Sequence, residues 1–256
     1  MTDETCTSLD SAECCLNCGL ELRGRYCHGC SQDREVGNPS LIKWVGETFA
    51  EFTSIEGRSL QSIRTLLARP GVLTVAWREG RRVGYTGPLR LFLFSLLLLL
   101  LVRSLLGSEP GFMLSAVLGF LEGAGATVDK TALLAQTDRI LRAFTLLLAP
   151  VIAGLVSVFF RGRTFSEHFV FTIHVVGFAL FLRTIFSFVE LVVTSEYITE
   201  PIQVFGILIY AYLAMHRVYG ESAQRTALKF VAISGLSIVI WFMAGLVILA
   251  GIVYSV

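Results

Sequence analysis

Charge is scarce in this chain. Only 16% of its 256 residues are Asp, Glu, Lys or Arg, while 54% are hydrophobic, and the mean hydropathy of +0.68 lies well above the soluble range. A soluble domain of this length buries a core without runs such as Leu96 to Leu101, so the scarcity argues against a globular protein and for lipid-spanning segments. Catalytic signatures are missing too. No nucleophile elbow, phosphate-binding loop or dinucleotide fingerprint occurs, and no two histidines stand four apart as a helical metal site requires. No enzymatic activity is expected. A secretory signal is also absent, since the first 15 residues carry Asp3, Glu4, Asp10 and Glu13 where a signal needs a basic start and an apolar core. No internal repeat is visible.

The few charges are unevenly placed. Residues 1–38 hold seven acids and three arginines, whereas residues 39–90 hold eight basic residues and four acids. An acidic head argues against nucleic-acid binding, which needs a basic footprint. A basic stretch ahead of the first apolar run, with Arg78, Arg81, Arg82 and Arg90, suits anionic lipid headgroups and the cytosolic membrane face.

Against these absences stand four cysteines in two pairs, Cys15-x-x-Cys18 and Cys27-x-x-Cys30. A C-x-x-C turn aims two thiolates at one point, and two such turns complete a tetrahedral zinc site. Gly19 supplies a residue that tolerates positive φ where the first knuckle folds back. Four thiolates close the coordination sphere, so the expected Zn2+ is structural. A reducing cytosol disfavours the rival disulfide reading, and a redox dithiol does not need the second pair. His28, inside the second knuckle, is the alternative ligand and reads better as an exposed loop residue. Cys6 and Cys14 are left over.

The remainder predicts an all-α polytopic membrane protein with about five transmembrane helices and a small zinc-knuckle head. Residues 1–14 read as a disordered tail, 15–32 as the zinc knuckle, and 38–87 as cytosolic amphipathic helices on the membrane surface. The transmembrane domain covers 88–256. About 20 apolar residues cross a ~30 Å hydrocarbon core, which gives spans near 89–107, 141–160, 169–194, 202–219 and 230–254. Residues 112–121 are apolar but too short to cross, and read as interfacial or re-entrant. Basic residues around 78–90, at 161–163 and at 217–229, against acidic loops at 108–138 and 195–201, place the N-terminus in the cytosol and the C-terminus outside. Arg103, Arg139 and Arg142 fall on the opposite side.

Charged and polar groups inside a span are candidate sites because they are costly in lipid. The third span is richest, with Glu167, His168, His174, Arg183 and Glu190. Glu167 and His174 are seven apart and share a helix face, where they suit a proton, a metal or a headgroup, and Arg183 suits an anion. The bland reading pairs Arg183 with Glu190, brings Glu167 and His168 to the interface and hydrogen-bonds His174 to a neighbouring helix.

The order of Cys15-Leu-Asn-Cys18-Gly19, Tyr26-Cys27-His-Gly-Cys30, Thr65 with Pro70-Gly71, and Gly80-Arg81-Arg82-x-x-Tyr85-x-x-Pro88-x-Arg90 resembles an uncharacterised family of bacterial membrane proteins with an N-terminal zinc ribbon. Glu167-His168 with His174, and Arg217-Val218-Tyr219-Gly220, resemble the same family over most of residues 15–230. Ser31-Gln32 departs from the family's more usual Gly-Gln. The resemblance implies the architecture and a bacterial inner membrane, and no activity. Two functions are therefore expected to compete. One is a non-enzymatic scaffold or regulator whose zinc head docks a cytosolic protein or the protein's own membrane body. The other is a transporter or lipid-handling protein using the third span.

Overall fold

A computed structural model describes residues 14–34, 57–106, 149–193 and 196–255. Seven helices lie among them: α1 (Gly57–Ala68), α2 (Val72–Arg78), α3 (Pro88–Leu106), α4 (Ala149–Phe159), α5 (Phe165–Val189), α6 (Glu196–Tyr219) and α7 (Ala223–Ser255). Four are long and apolar enough to cross a membrane: α3, α5, α6 from Ile198, and α7 as far as Ile240. Of the span expected at 141–160, the described part is α4. The expected tail, the helical pattern at 38–56 and the apolar stretch at 112–121 lie outside the described residues.

Helix α3 shows why these are membrane helices. Leu91, Phe92, Ser95, Leu99 and Val102 form its buried stripe, while Phe94, Leu97, Leu101 and Leu105 stand exposed on the other side. A helix apolar all round, with one face packed and the other bare, is at home only in lipid. Its closest partner is α5. Gly177 and Ser95 meet there, and a methyl group added at Gly177 would lie 3.7 Å from Ser95 Oγ and 3.9 Å from the Phe92 backbone. Small residues at a crossing let two apolar helices approach closely enough for dispersion to hold them.

The helix ends differ from the sequence expectation. Helix α5 starts four residues earlier than 169, because Thr164 takes the extended N-cap position and Glu167 sits in the first turn, where a carboxylate suits the helix dipole. Helix α6 takes in Glu196 and Glu200, so most of the expected acidic loop at 195–201 is helical, with Pro201 inside the helix.

The largest surprise is α2. The sequence places residues 72–77 on the membrane face, yet Leu73, Thr74, Ala76 and Trp77 are buried. Gly71 is the reason. At φ +78 it turns the chain from α1 into α2, and a Cβ there would lie 2.9 Å from the Ala214 carbonyl oxygen of α6. Only glycine combines that backbone conformation with so close an approach. Two reciprocal bonds fasten the contact: Arg78 Nη1 donates to Val218 O at 2.9 Å, and Arg217 Nη1 donates to Pro70 O at 2.6 Å. Helices α1 and α2 thus form a hairpin wedged against α5 and α6, with Leu66 and Leu73 in one core cluster with Phe178, Tyr210 and Ala214.

Candidate metal centre and the polar groups behind it

The head consists of two halves with the same backbone bonding pattern, a repeat that was invisible in the sequence. In the first, the Cys15 amide donates to Leu20 O at 2.8 Å and the Gly19 amide to Cys15 O at 2.8 Å, while Cys14 bridges Glu21. In the second, the Cys27 amide donates to Gln32 O at 2.9 Å and the Ser31 amide to Cys27 O at 2.8 Å, while Tyr26 bridges Asp33. Every partner is displaced by the same twelve positions. The side chains other than the cysteines and the closing acids differ between the halves, which hides the repeat. Both knuckles need a left-handed residue after the second cysteine; Gly19 has φ +77 and Ser31 φ +60.

The two turns bring Cys15, Cys18, Cys27 and Cys30 together with all four sulfurs within 4.8 Å of one another. The Cys15–Cys30 and Cys18–Cys27 sulfur pairs are 3.5 Å apart. A tetrahedron of Zn–S bonds of ~2.3 Å has sulfur–sulfur edges of about 3.8 Å, so the donor set and its spacing fit a metal ion of that kind. His28 is exposed and not part of the cluster. Without a metal, crowding divides the protons unequally. Burial, with hydrogen bonding among the four sulfurs, pushes the Cys18 thiol up to about 12. Burial opposes ionisation of Cys27 as well, but the Cys30 and Gly29 amides aimed at its sulfur, helped by Cys18 and Cys15, draw it down to about 6. Burial also raises Cys30. Four sulfurs this close cannot all be thiolates unless a cation replaces the protons.

The head rests on the turn that follows α2, at Gly80 and Arg82. Gln32 is only 4% exposed, and its Oε1 accepts from the Arg82 amide at 3.2 Å. Leu16 lies over Gly80, where an added Cβ would sit 2.7 Å from Leu16 Cδ1. The Arg82 guanidinium stacks 5.0 Å from the Trp77 ring centroid, and Trp77 in turn is buried with Phe92, Val170 and Ile173. Neither Gln32 nor Leu16 stood out in the sequence. A buried glutamine next to a knuckle has no local signature, and its partner lies fifty residues away. Of the other basic residues expected at the membrane surface, Arg81 pairs with Glu79 and Arg90 is half-buried in the first turn of α3.

Behind the head, the polar residues of α5 are brought to separate partners. His174 Nδ1 meets Thr74 Oγ1 of α2 at 2.9 Å, and His168 Nδ1 meets the Tyr219 hydroxyl of α6 at 2.8 Å. Arg183 Nη1 donates to Glu190 Oε1 at 2.7 Å, and Gln203 Nε2 of α6 donates to the same oxygen at 3.3 Å. Glu167 accepts from the Thr164 hydroxyl at 3.1 Å, with Arg163 Nη1 at 3.8 Å. The shared face of Glu167 and His174 therefore does not become a shared site. Tyr219, which the sequence analysis placed only within a resemblance motif, is the hub. Phe160 stacks on it at 3.9 Å and Arg163 lies 4.9 Å from its centroid.

No curated protein and no solved structure matches the chain. A family described as a protein of unknown function (DUF3667) matches residues 56–100. That stretch holds α1, α2 and most of α3, so the matched part of this chain is the hairpin wedge with the first apolar helix, and the similarity attaches to the joint between head and bundle.

Proposed function

We propose that this is a non-enzymatic membrane scaffold or regulator, in which a structural Zn2+ head is held on the protein's own membrane body and presents its outer face to a cytosolic protein. The observation that carries the reading is the seat of the head: Gln32 on the Arg82 amide and Leu16 on Gly80, joined through α2 to α5 and α6. Tyr26, backed by Arg25, and Cys18 stand exposed on the head. Zinc is favoured because four thiolates select a soft tetrahedral ion and a closed sphere leaves no position for substrate. Binding would contribute on the order of 10 kcal/mol of folding energy, which so short a segment cannot draw from a core.

The location that fits is a bacterial inner membrane with the N-terminus in the cytosol and the C-terminus outside. Arg78, Arg81, Arg82, Arg90, Arg161 and Arg163 gather at the head-side end of the helices, where they suit anionic lipids. Nucleic acid is not expected as a partner. The transporter or lipid-handling alternative relied on the polar residues of α5 converging, and their separate partners favour the scaffold.

Two measurements on one pair of proteins test this. Metal analysis of the purified wild type should find one zinc per chain, and Cys15→Ser/Cys18→Ser should lose it. In-cell crosslinking with mass spectrometry should then recover a partner set with the wild type that the double variant lacks. A wild type without stoichiometric zinc, or identical partner sets, would sink the proposal.

A further inference from the structure

Each knuckle of the head contributes one contact to its seat. Leu16, over Gly80, lies between the ligands Cys15 and Cys18, and Gln32, on the Arg82 amide, closes the second knuckle just after Cys30. The backbone bonds that shape each knuckle stay within it: Cys15 with Leu20 and Gly19 in one, Cys27 with Gln32 and Ser31 in the other. One knuckle is aligned with the other by the sulfur cluster, where Cys15 faces Cys30 and Cys18 faces Cys27, and by Leu20 lying over Gly29.

The surface that receives the head is built without it. The end of α2 is closed by the Glu79 amide on Val75 O at 2.9 Å, the Gly80 amide on Trp77 O at 3.1 Å and the Arg81 amide on Ala76 O at 2.9 Å, with Gly80 at φ +77. Trp77 is anchored among Phe92, Val170 and Ile173 of the bundle. A helix end whose carbonyls are satisfied in this way keeps its shape whether or not the head is seated. The variable partner is therefore the head. Without a cation the four sulfurs lose their common centre, and one leucine over a glycine is little core to hold two knuckles in register. Gln32 makes misalignment costly, because it is only 4% exposed and a buried amide parted from its donor loses the bond without regaining water.

We propose that metal binding and seating of the head are one coupled equilibrium. The metal aligns the knuckles so that Leu16 and Gln32 engage the Gly80–Arg82 turn together, and loss of the metal releases the head from its own membrane body. The head is thus a metal-controlled latch, an inference that rests on reading the four cysteines as a metal site. Coupling is reciprocal, so the turn strengthens metal binding by the same factor as the metal strengthens the seat. Gln32 is not a ligand; it is a positioning residue, joined to the sulfurs through the bond from the Cys27 amide to its carbonyl.

The test uses the full chain in detergent. Removing zinc from the wild type with a chelator should speed hydrogen–deuterium exchange in the peptide carrying the Arg82 amide by up to about tenfold, the protection one hydrogen bond supplies. Peptides from α3 should exchange as before. Gln32→Leu keeps the bulk of the side chain and removes the acceptor, and in a chelator titration it should hold zinc about three- to tenfold more weakly than the wild type. Arg23→Gln, on an exposed part of the head, should hold zinc as the wild type does. A zinc-loaded wild type whose Arg82 exchange is the same after zinc removal overturns the latch and leaves the metal site standing. So does a Gln32→Leu protein with wild-type affinity, or an Arg23→Gln protein weakened as much as Gln32→Leu. A wild type that binds no zinc overturns both the latch and the metal site. Where Gln32→Leu does not fold, exchange in the wild type decides.

Discussion

Ser31 occupies a backbone region that its counterpart in the first knuckle gives to glycine. At φ +60 its Cβ crowds the backbone, at a cost of roughly 1–2 kcal/mol for a non-glycine residue. The cost is partly offset because serine loses less backbone entropy on folding than glycine does. Replacing Gly19 by Ala should therefore weaken the head by about 1 kcal/mol, and Ser31→Gly should strengthen it by up to about the same. A chelator titration checks both: Gly19→Ala should release metal at lower chelator concentration than wild type and Ser31→Gly at higher, and the reverse order would contradict the shared-knuckle geometry. At this scale the four ligands were legible, because C-x-x-C spacing is local. Arg183 with Glu190 was legible as well, being seven apart on one helix. The partners of His168 and His174 were not, since Tyr219 and Thr74 are 51 and 100 residues distant and nothing in an apolar helix says which neighbour will face it.

Among the elements, α2 determines how the head and the bundle are joined. It is seven residues long, too short for its periodicity to separate a surface helix from a buried one. The basic residues around it drew it to the membrane face in the sequence reading, whereas in the fold Arg78 serves the Val218 carbonyl oxygen and Arg82 the Trp77 ring. The signal that was present, Pro70-Gly71, entered the sequence reading only among the residues of the resemblance. Gly71→Ala tests the wedge directly. A methyl there meets backbone of α6 at 2.9 Å and 3.2 Å on a left-handed residue, and neither group can give way. The variant should lose about 2 kcal/mol or more, seen as a drop of several degrees in the unfolding temperature in detergent. It should also make the head more sensitive to protease, although no residue of the head is changed. An undiminished unfolding temperature would mean that α2 is not held there.

For the whole molecule, long apolar helices were the most legible feature, because lipid demands an uninterrupted run that no tertiary contact can supply. Their packing order was not legible, since the buried and lipid-facing sides of α3 have the same composition. Orientation is open to a simple check: reporters fused at the N-terminus should report cytosol and at the C-terminus the outside, and the opposite result would remove the thiolate head from a reducing compartment. Acid should also strip the head. Metal-bound thiolates compete with protons, and free thiols ordinarily titrate near 8.5, so lowering the pH from neutral to about 5 should release zinc while the apolar helices stay folded, measurable as metal loss without loss of helical circular dichroism. The paired bonds Arg78 to Val218 and Arg217 to Pro70 run in opposite directions across one contact. Sliding or rotating α2 against α6 strains both together, so the contact behaves as a rigid coupling rather than a hinge. A force on the zinc head, passed from Gln32 to Arg82 and so to α2, should therefore be felt at the end of α6 instead of being absorbed where the two helices meet.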